Sequence, residues 1–329
     1  MTQLLNAQVL RGGESLRTNL VAGQVVHTLA TTETTAGGFG AVVLESTIDR
    51  QPIPLHYHEK EHDTWLCTRG RLSVWSGDEC RILNDGDFAY VKPGDVHSYQ
   101  CLSPRTQFFG VVAPGGWEGF FDMAGEQWAG PGLPEADHPF DFSRMGPAMG
   151  RFGVNRVEGA QYAAPRNGDA TDRALPEGPA SYFLQQGYGD RVRVQGHLCT
   201  TLLSRHISAD MIEIRTVEGA RGATMPPVRH RQTHVFAYLL EGEVTFAVGD
   251  RNVTAHAGAA INIPAGTTYS TKIVSGSGRW VLTSANGNGL SYLDKLGEAT
   301  QTFTPAREAG KPVTAGQHDL SDIDARIVS

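Results

Sequence analysis

The sequence predicts an all-β fold of two tandem antiparallel barrels with a few short helices. Three observations lead to this prediction. The chain of 329 residues contains 39 Gly and 17 Pro, and only 19% of its residues are charged, which is typical of a β protein rich in turns. Its apolar runs are short and bounded by turn residues, as strands of a barrel are. Its glycines also repeat at a fixed distance, which indicates a duplicated domain.

The glycine repeat needs no gap. A displacement of 172 residues superposes Gly70 on Gly242, Gly77 on Gly249, Gly86 on Gly258, Gly94 on Gly266, Gly115 on Gly287 and Gly125 on Gly297. A chain of 329 residues also suits two domains of ordinary size. We therefore predict an N-terminal barrel over residues 1–127, an irregular linker over 128–190 and a C-terminal barrel over 191–329.

The elements of the first repeat follow in order. Residues 16–26 are predicted to enter the barrel, and 39–45 form the first clear strand. Later strands are expected at 72–75 and 88–91, each next to turn residues. Both repeats end with apolar residues spaced for one buried helix face: Trp117, Phe120, Phe121 and Ala124 in the first, and Leu290, Leu293 and Leu296 in the second.

A histidine-rich segment between the first strands predicts a metal site. His56 and His58 are two residues apart, so in a strand both imidazoles point to the same face. After a polar turn, Asp63 begins a returning strand, and His97 begins another strand after a Pro-Gly turn. Two such histidines alone are also typical of a solvent-facing strand, and it is His97 that favours a metal.

Three imidazoles and one carboxylate suit a divalent transition metal with coordination positions left open for substrate. We predict one ion in the N-terminal barrel, with His56, His58, Asp63 and His97 as its ligands. The ligand types do not select among Cu, Fe, Ni, Co and Mn.

The second repeat lacks three of the four predicted metal ligands. The same displacement places Val228 on His56, His230 on His58, Val235 on Asp63 and Tyr269 on His97. A lone imidazole beside two valines holds a divalent ion poorly. We therefore predict that His230 and His234 are structural histidines with hydrogen-bond partners, and that the C-terminal barrel has a degenerate site.

The segments that carry the predicted ligands resemble the two cupin motifs. Residues 54–60, 67–70 and 110–118 resemble more narrowly the two-domain quercetin 2,3-dioxygenases of the fungal type. The resemblance implies two jelly-roll cupin barrels with metal only in the first. One position departs from that family, because its carboxylate is Glu and here it is Asp63.

The resemblance also implies a reaction. A flavonol such as quercetin would be cleaved in its heterocyclic ring by O2, giving a depside and carbon monoxide. Asp63 would be the catalytic general base for the 3-hydroxyl, and the metal a Lewis acid and electron relay. Two other functions stay open, a metal-dependent isomerase, cyclase or lyase acting on another enolisable aromatic or polyketide, and a non-catalytic small-molecule-binding protein.

Large apolar residues are expected around the metal. Trp65 lies two positions after Asp63, and Tyr99 lies two positions after His97, so both share a face with a ligand. The predicted substrate-binding set is completed by Phe108, Trp117 and Phe39. A flat aromatic substrate would fit against such walls, although the same rings could simply fill the barrel.

Charge and composition limit the classes of partner that we expect. A net charge of -7 leaves no basic footprint, which argues against nucleic acid. We find neither a signal-peptide pattern nor a membrane-spanning run, so we expect no membrane partner and a cytoplasmic protein. Its four cysteines lack CxxC spacing and are expected to be reduced. The expected partners are a flavonol or related aromatic and O2, with a homodimer left open.

Overall fold

Antiparallel strands dominate the computed structural model, which describes residues 6–49, 51–130, 132–306 and 318–328. The strands before residue 128 are β1 (Gln8–Leu10), β2 (Arg17–Val21), β3 (Gln24–Ala30), β4 (Gly40–Ser46), β5 (His56–Tyr57), β6 (His62–Arg69), β7 (Leu72–Ser76), β8 (Glu79–Leu83), β9 (Phe88–Val91), β10 (His97–Cys101), β11 (Thr106–Ala113) and β12 (Glu126–Gln127). Helix α1 (Gly119–Ala124) precedes β12.

The segment after β12 contains short elements only. They are helix α2 (Met145–Arg151), strands β13 (Asn155–Arg156), β14 (Arg166–Asn167) and β15 (Tyr182–Leu184), and 3-10 turns at Phe142–Arg144 and Ala170–Arg173.

The remaining strands form the second half of the chain. They are β16 (Arg191–Val194), β17 (His197–Leu203), β18 (Ile212–Ala220), β19 (Thr224–Arg229), β20 (His234–Val248), β21 (Arg251–His256), β22 (Ala260–Ile263), β23 (Thr268–Ala285), β24 (Glu298–Ala299) and β25 (Arg326–Ile327). A 3-10 turn at Gly289–Ser291 leads into helix α3 (Tyr292–Leu296). The predicted all-β fold with two jelly-roll domains and a few short helices is confirmed.

The strands group into two units. The first unit contains residues 15–33 and 39–186, and the second contains 1–14, 34–38 and 187–329. These bounds differ from the predicted domain ends for two reasons. Strand β1 pairs with β22, so the chain start belongs to the second unit. The predicted linker adds β13, β14 and β15 to sheets of the first unit.

Two sheets enclose the core of the first unit. One sheet has the order β13-β5-β10-β7-β8-β14, and the other has the order β12-β2-β3-β4-β11-β6-β9-β15. Leu72 and Val74 alternate with Ser73 along β7 and pack into the core with Trp65 and Phe108. This strand alternation also aims one face of β5 and β10 at the same interior.

The second unit repeats the plan in one continuous hydrogen-bonded sheet of 11 strands. Its core contains Val217, Ala237, Phe246 and Trp280, all with at most 1% of their surface exposed. At the end of each repeat the predicted helix face is buried, through Phe120 and Phe121 in α1 and Leu293 in α3. Among the described residues, no helix has the length and apolar character needed to cross a membrane.

The glycine repeat has a conformational cause. Gly70 and Gly242 adopt φ values of 80° and 76°, and Gly94 and Gly266 both adopt 85°. Such left-handed turns favour glycine. The amide of Gly94 donates to the carbonyl of His58 at 2.7 Å, and the amide of Gly266 donates to that of His230 at 2.7 Å. The same turn therefore fixes the same backbone neighbour in both units.

Gly242 offers a test of this constraint. A Cβ at this position would collide with the carbonyl oxygen of Ser277, whereas a Cβ at Gly249, where φ is 60°, meets nothing within 4 Å. We expect Gly249→Ala to cost about 1 kcal/mol for its left-handed backbone and Gly242→Ala to cost about 3 kcal/mol because a clash is added. Denaturant midpoints of the two variants measure this; equal midpoints would contradict the account.

Candidate metal centre

Pairing between two short strands brings the three predicted imidazoles together. His97 in β10 lies directly opposite His56 in β5, and His58 follows β5 on the same face. One ring nitrogen from each histidine lies within 4.8 Å of the other two. All three are buried, with at most 8% of their surface exposed. The sequence spacing and the antiparallel register together produce this convergence.

Backbone carbonyls set the tautomer of two of these rings. Nδ1 of His56 lies 2.8 Å from the carbonyl oxygen of Pro54, and Nδ1 of His97 lies 2.9 Å from that of Asp95. Since a carbonyl oxygen can only accept, each Nδ1 carries the proton and donates it. The lone pair of each ring is therefore on Nε2, as is usual for a metal-binding histidine with a backbone partner.

Burial favours the neutral form of His56 and His58. Loss of solvent, together with the adjacent His97 and His58, lowers the pKa of His56 to about 3. Burial likewise lowers the pKa of His58. Neutral imidazoles are the form that binds a metal ion.

Asp63 lies beside two of these imidazoles. It sits in β6 opposite Val91 of β9 and Val112 of β11, with 6% of its surface exposed. Its Oδ2 is 3.0 Å from Nε2 of His97 and 3.5 Å from Nε2 of His58. Burial alone would raise the pKa of Asp63, but the surrounding imidazoles outweigh it and hold the pKa below its ordinary value.

The contact between Asp63 and His97 tests whether these residues fit a metal ion. Oδ2 of Asp63 lies 3.0 Å from Nε2 of His97, whose Nδ1 proton is already donated to the carbonyl of Asp95. Nε2 of His97 has no hydrogen-bond partner by geometry among the described residues. A buried ring nitrogen and a carboxylate oxygen at this distance need a positive charge between them, which a proton or a metal ion supplies. A divalent ion held by nitrogen and oxygen ligands meets this need.

The neighbouring His62 faces away from the cluster, as strand alternation predicts. Its Nδ1 lies 2.7 Å from the hydroxyl of Tyr90, and the two rings stack with centroids 5.9 Å apart. His62 is therefore engaged on the opposite face of β6 from Asp63.

Two of the five predicted substrate-binding residues, Trp65 and Trp117, lie beside the imidazoles, and Tyr99 and Phe108 follow behind Trp65. The ring centroid of Trp65 is 5.6 Å from that of His97, and the centroid of Trp117 is 5.2 Å from that of His58. Tyr99 lies 6.4 Å from Trp65 and contacts Phe108 at 5.2 Å.

Phe39 is placed differently. It is fully buried just before β4, where Val42 and Leu44 pack into the core with Trp65. By strand alternation Phe39 lies on the opposite face of β4 from these two residues. Its role in substrate binding stays a prediction.

The second unit fills the corresponding space with hydrogen-bonded side chains. Nδ1 of His230 lies 2.7 Å from the carbonyl oxygen of Asp324, and its Nε2 lies 3.3 Å from the hydroxyl of Tyr269. Nε2 of His234 lies 2.8 Å from Oδ1 of Asn262. Both histidines have the partners expected of structural residues, as predicted.

Sequence reasoning missed the groups that orient the site. Pro54 and Asp95 act through carbonyl oxygens, which have no side-chain signature. Each lies two residues before its histidine, and this shared spacing is the one signal that would have found them. Gln24 was also missed; its Oε1 accepts a 2.7 Å hydrogen bond from the hydroxyl of Tyr99.

Comparisons with known proteins agree with this arrangement. The cupin domain model matches residues 48–108 and 216–283, one range in each unit. Quercetin 2,3-dioxygenase from Bacillus subtilis (strain 168) is 24% identical over 272 residues, which cover 80% of this chain and 78% of that protein. Quercetin 2,3-dioxygenase from Aspergillus japonicus is 35% identical over 75 residues, 21% of each chain.

Solved structures share the fold. Oxalate decarboxylase from Bacillus subtilis at pH 4.6 superposes with a TM-score of 0.55 at 17% identity, covering 87% of this chain and 77% of the other. The Escherichia coli protein YlbA gives a TM-score of 0.56 at 12% identity, covering 87% and 93%. Each unit contains one match to the cupin domain model, and the chain shares the fold of these solved structures.

The metal site gives a direct prediction. We expect His97→Ala to reduce bound metal from about one ion per chain to a small fraction, because two imidazoles and one carboxylate leave the coordination shell short of a ligand. His230→Ala removes a buried imidazole of the other unit and should leave the metal content unchanged. Elemental analysis of both proteins measures this. Equal loss of metal in the two variants would contradict the assignment.

Proposed function

We propose that this bicupin chain is a metal-dependent dioxygenase that cleaves the heterocyclic ring of a flavonol such as quercetin with O2, giving a depside and carbon monoxide. The observation that carries the proposal is a buried carboxylate beside three clustered imidazoles, with Trp65 and Trp117 next to them. This set occurs in the first unit, while the second unit replaces it with hydrogen-bonded and apolar side chains.

The chain's own residues have distinct roles in this proposal. His56, His58 and His97 would hold the ion through their Nε2 atoms, with Asp63 close enough to be a ligand as well as a base. When bound, a divalent transition metal supplies a Lewis acid and an electron relay. Copper, iron, nickel, cobalt and manganese all accept such ligands.

Asp63 would take the proton of the flavonol 3-hydroxyl. Its carboxylate is ionised at neutral pH, because the imidazoles hold its pKa below the ordinary value. It lies in a buried site that excludes bulk water, where a positioned base contributes most. Its shorter side chain still reaches the imidazole nitrogens, with Oδ2 3.0 Å from His97 Nε2. The substitution of Glu by Asp is therefore compatible with this role.

The aromatic rings would hold a flat substrate. Trp65 lies beside His97, and Trp117 lies beside His58. A planar substrate at the metal would therefore contact an indole ring next to each of these two histidines. The hydroxyl of Tyr99 is already bonded to Gln24, which leaves its ring for packing. Nε1 of Trp117 is buried and has no hydrogen-bond partner among the described residues, so it could donate to a substrate oxygen.

The relatives support the same substrate class. The two named quercetin 2,3-dioxygenases come from a bacterium and a fungus, and the bacterial protein aligns over most of both chains. The oxalate decarboxylase structures share the fold with this chain at 17% identity and supply no argument about its substrate.

An assay on quercetin tests the proposal. The metal-loaded protein should consume quercetin, followed by loss of its near-visible absorbance, together with one O2, and should release one carbon monoxide. Protein stripped of metal should consume no quercetin or O2 and should release no carbon monoxide. Turnover without oxygen uptake would favour an isomerase, cyclase or lyase, and tight binding without turnover would favour a binding protein. Either result would overturn the proposed reaction.

Asp63 can be tested separately. Asp63→Asn keeps the size of the side chain but removes the base, so we expect turnover to fall by about 10²–10⁴-fold while metal is retained. Glu59→Gln, at an exposed position in the preceding turn, is the matched control and should keep full activity. Unchanged turnover in Asp63→Asn would remove Asp63 from the mechanism.

A further inference from the structure

The segment after β12 contributes none of the clustered ligands, yet it contacts the two backbone stretches that orient His56 and His97. These stretches are residues 53–57 and 92–97. Their carbonyl groups at Pro54 and Asp95 fix the Nδ1 protons of the two rings. Two side chains of the later segment, Tyr162 and Ser181, hydrogen-bond to these stretches.

Tyr162 holds the stretch before His56. Its hydroxyl donates to the carbonyl oxygen of Ile53 at 2.9 Å, immediately before Pro54. The ring packs edge-on against Trp75 with centroids 5.4 Å apart, and Trp75 Nε1 donates to the carbonyl of Ala163 at 2.8 Å. Although 42% of Tyr162 is exposed, its ring is therefore held in place.

Main-chain bonds reinforce the same stretch. β13 pairs with β5, with Arg156 opposite His56 and Asn155 opposite Tyr57. The amide of Val157 donates to the carbonyl oxygen of Leu55 at 3.0 Å. His56 therefore lies on a strand bonded to β10 on one side and to the later segment on the other.

Ser181 holds the turn before His97. Its hydroxyl donates to Oδ2 of Asp95 at 2.6 Å and accepts the amide of Lys92 at 3.0 Å. Nζ of Lys92 donates to Oδ1 of the same carboxylate at 2.6 Å. The backbone of Asp95, whose carbonyl meets His97, is thus fixed through its own side chain.

The second unit does not keep these groups. The displacement of 172 residues places Pro264 on Lys92 and Thr267 on Asp95, while Gly266 still matches Gly94. The second unit retains the turn, but Pro264 and Thr267 cannot form the ion pair that Lys92 and Asp95 form in the first unit, where the three imidazoles converge. This difference ties the Ser181 contact to the metal centre rather than to the fold.

We infer that Tyr162 and Ser181 are positioning residues of the metal centre. Each holds the backbone next to a carbonyl group that sets the tautomer and orientation of one imidazole. Neither belongs to the proposed ligand set. Partners of metal ligands commonly change metal affinity by 10–100-fold when they are removed. Because Tyr162 acts through the peptide between Ile53 and Pro54 and Ser181 acts through the side chain of Asp95, we expect the lower end of that range.

Co²⁺ binding to the full-length protein tests the inference. Ser181→Ala and Tyr162→Phe should each weaken Co²⁺ binding about tenfold, measured by competition with a chelator. The visible absorption of bound Co²⁺ should also change, because it reports ligand geometry. The thermal midpoint of the metal-free protein should be unaltered. Ser181→Thr keeps the hydroxyl and should restore affinity and spectrum.

Ser103→Ala is the matched control. This hydroxyl accepts the amide of Arg71 at 2.9 Å in a turn beyond the opposite end of β10, and its loss should leave Co²⁺ binding unchanged. Wild-type affinity and spectrum in both test variants would overturn the inference. A fall in affinity matched by a fall in the metal-free midpoint would also overturn it. The inference rests on the metal site of the proposed function. If the protein binds Co²⁺ as expected but does not turn over quercetin, the proposed reaction is contradicted and the inference about Tyr162 and Ser181 is not.

Discussion

The constraint on which this structure depends is a carboxylate oxygen buried 3.0 Å from an imidazole nitrogen. Asp63 and His97 meet in this way, with both groups buried and the Nδ1 proton of His97 donated to the carbonyl of Asp95. Such a contact is costly in a dry interior and becomes favourable when a cation is shared. The register of β5 and β10 and the carbonyls of Pro54 and Asp95 all maintain it.

The second unit shows how the same backbone can lose the predicted metal site. Turns built on glycines at equivalent positions have the same φ values in both units, so the backbone of the site survives in the second unit. There, His230 bonds to Asp324 and Tyr269, and valines take the places of His56 and Asp63. His230 has a partner for each ring nitrogen, which removes the need for an ion at this place.

Much of the fold and of the metal site could be predicted from two features of the sequence, the two-residue alternation of side chains along a strand and the repeat of the glycines. The two-residue spacing of His56 and His58 fixes their common face, and alternation separates His62 from Asp63. The displacement of the glycines predicted a second domain and identified the positions where its ligands are missing. These features depend on local geometry, which a sequence carries directly.

Other features depend on contacts far apart in the chain and were outside the reach of pattern reasoning. Pairing of β1 with β22 moves the chain start into the second unit. Tyr162 and Ser181 lie in a segment without periodicity, and only the fold brings them to the backbone beside His56 and His97.

Anomalous diffraction from crystals of the metal-loaded protein, recorded at the absorption edge of the bound metal, tests the central claim most directly. The account predicts one strong peak per chain, within coordination distance of Nε2 of His56, His58 and His97. A peak beside His230 in the second unit, or coordination through Nδ1 of His56 or His97, would contradict it.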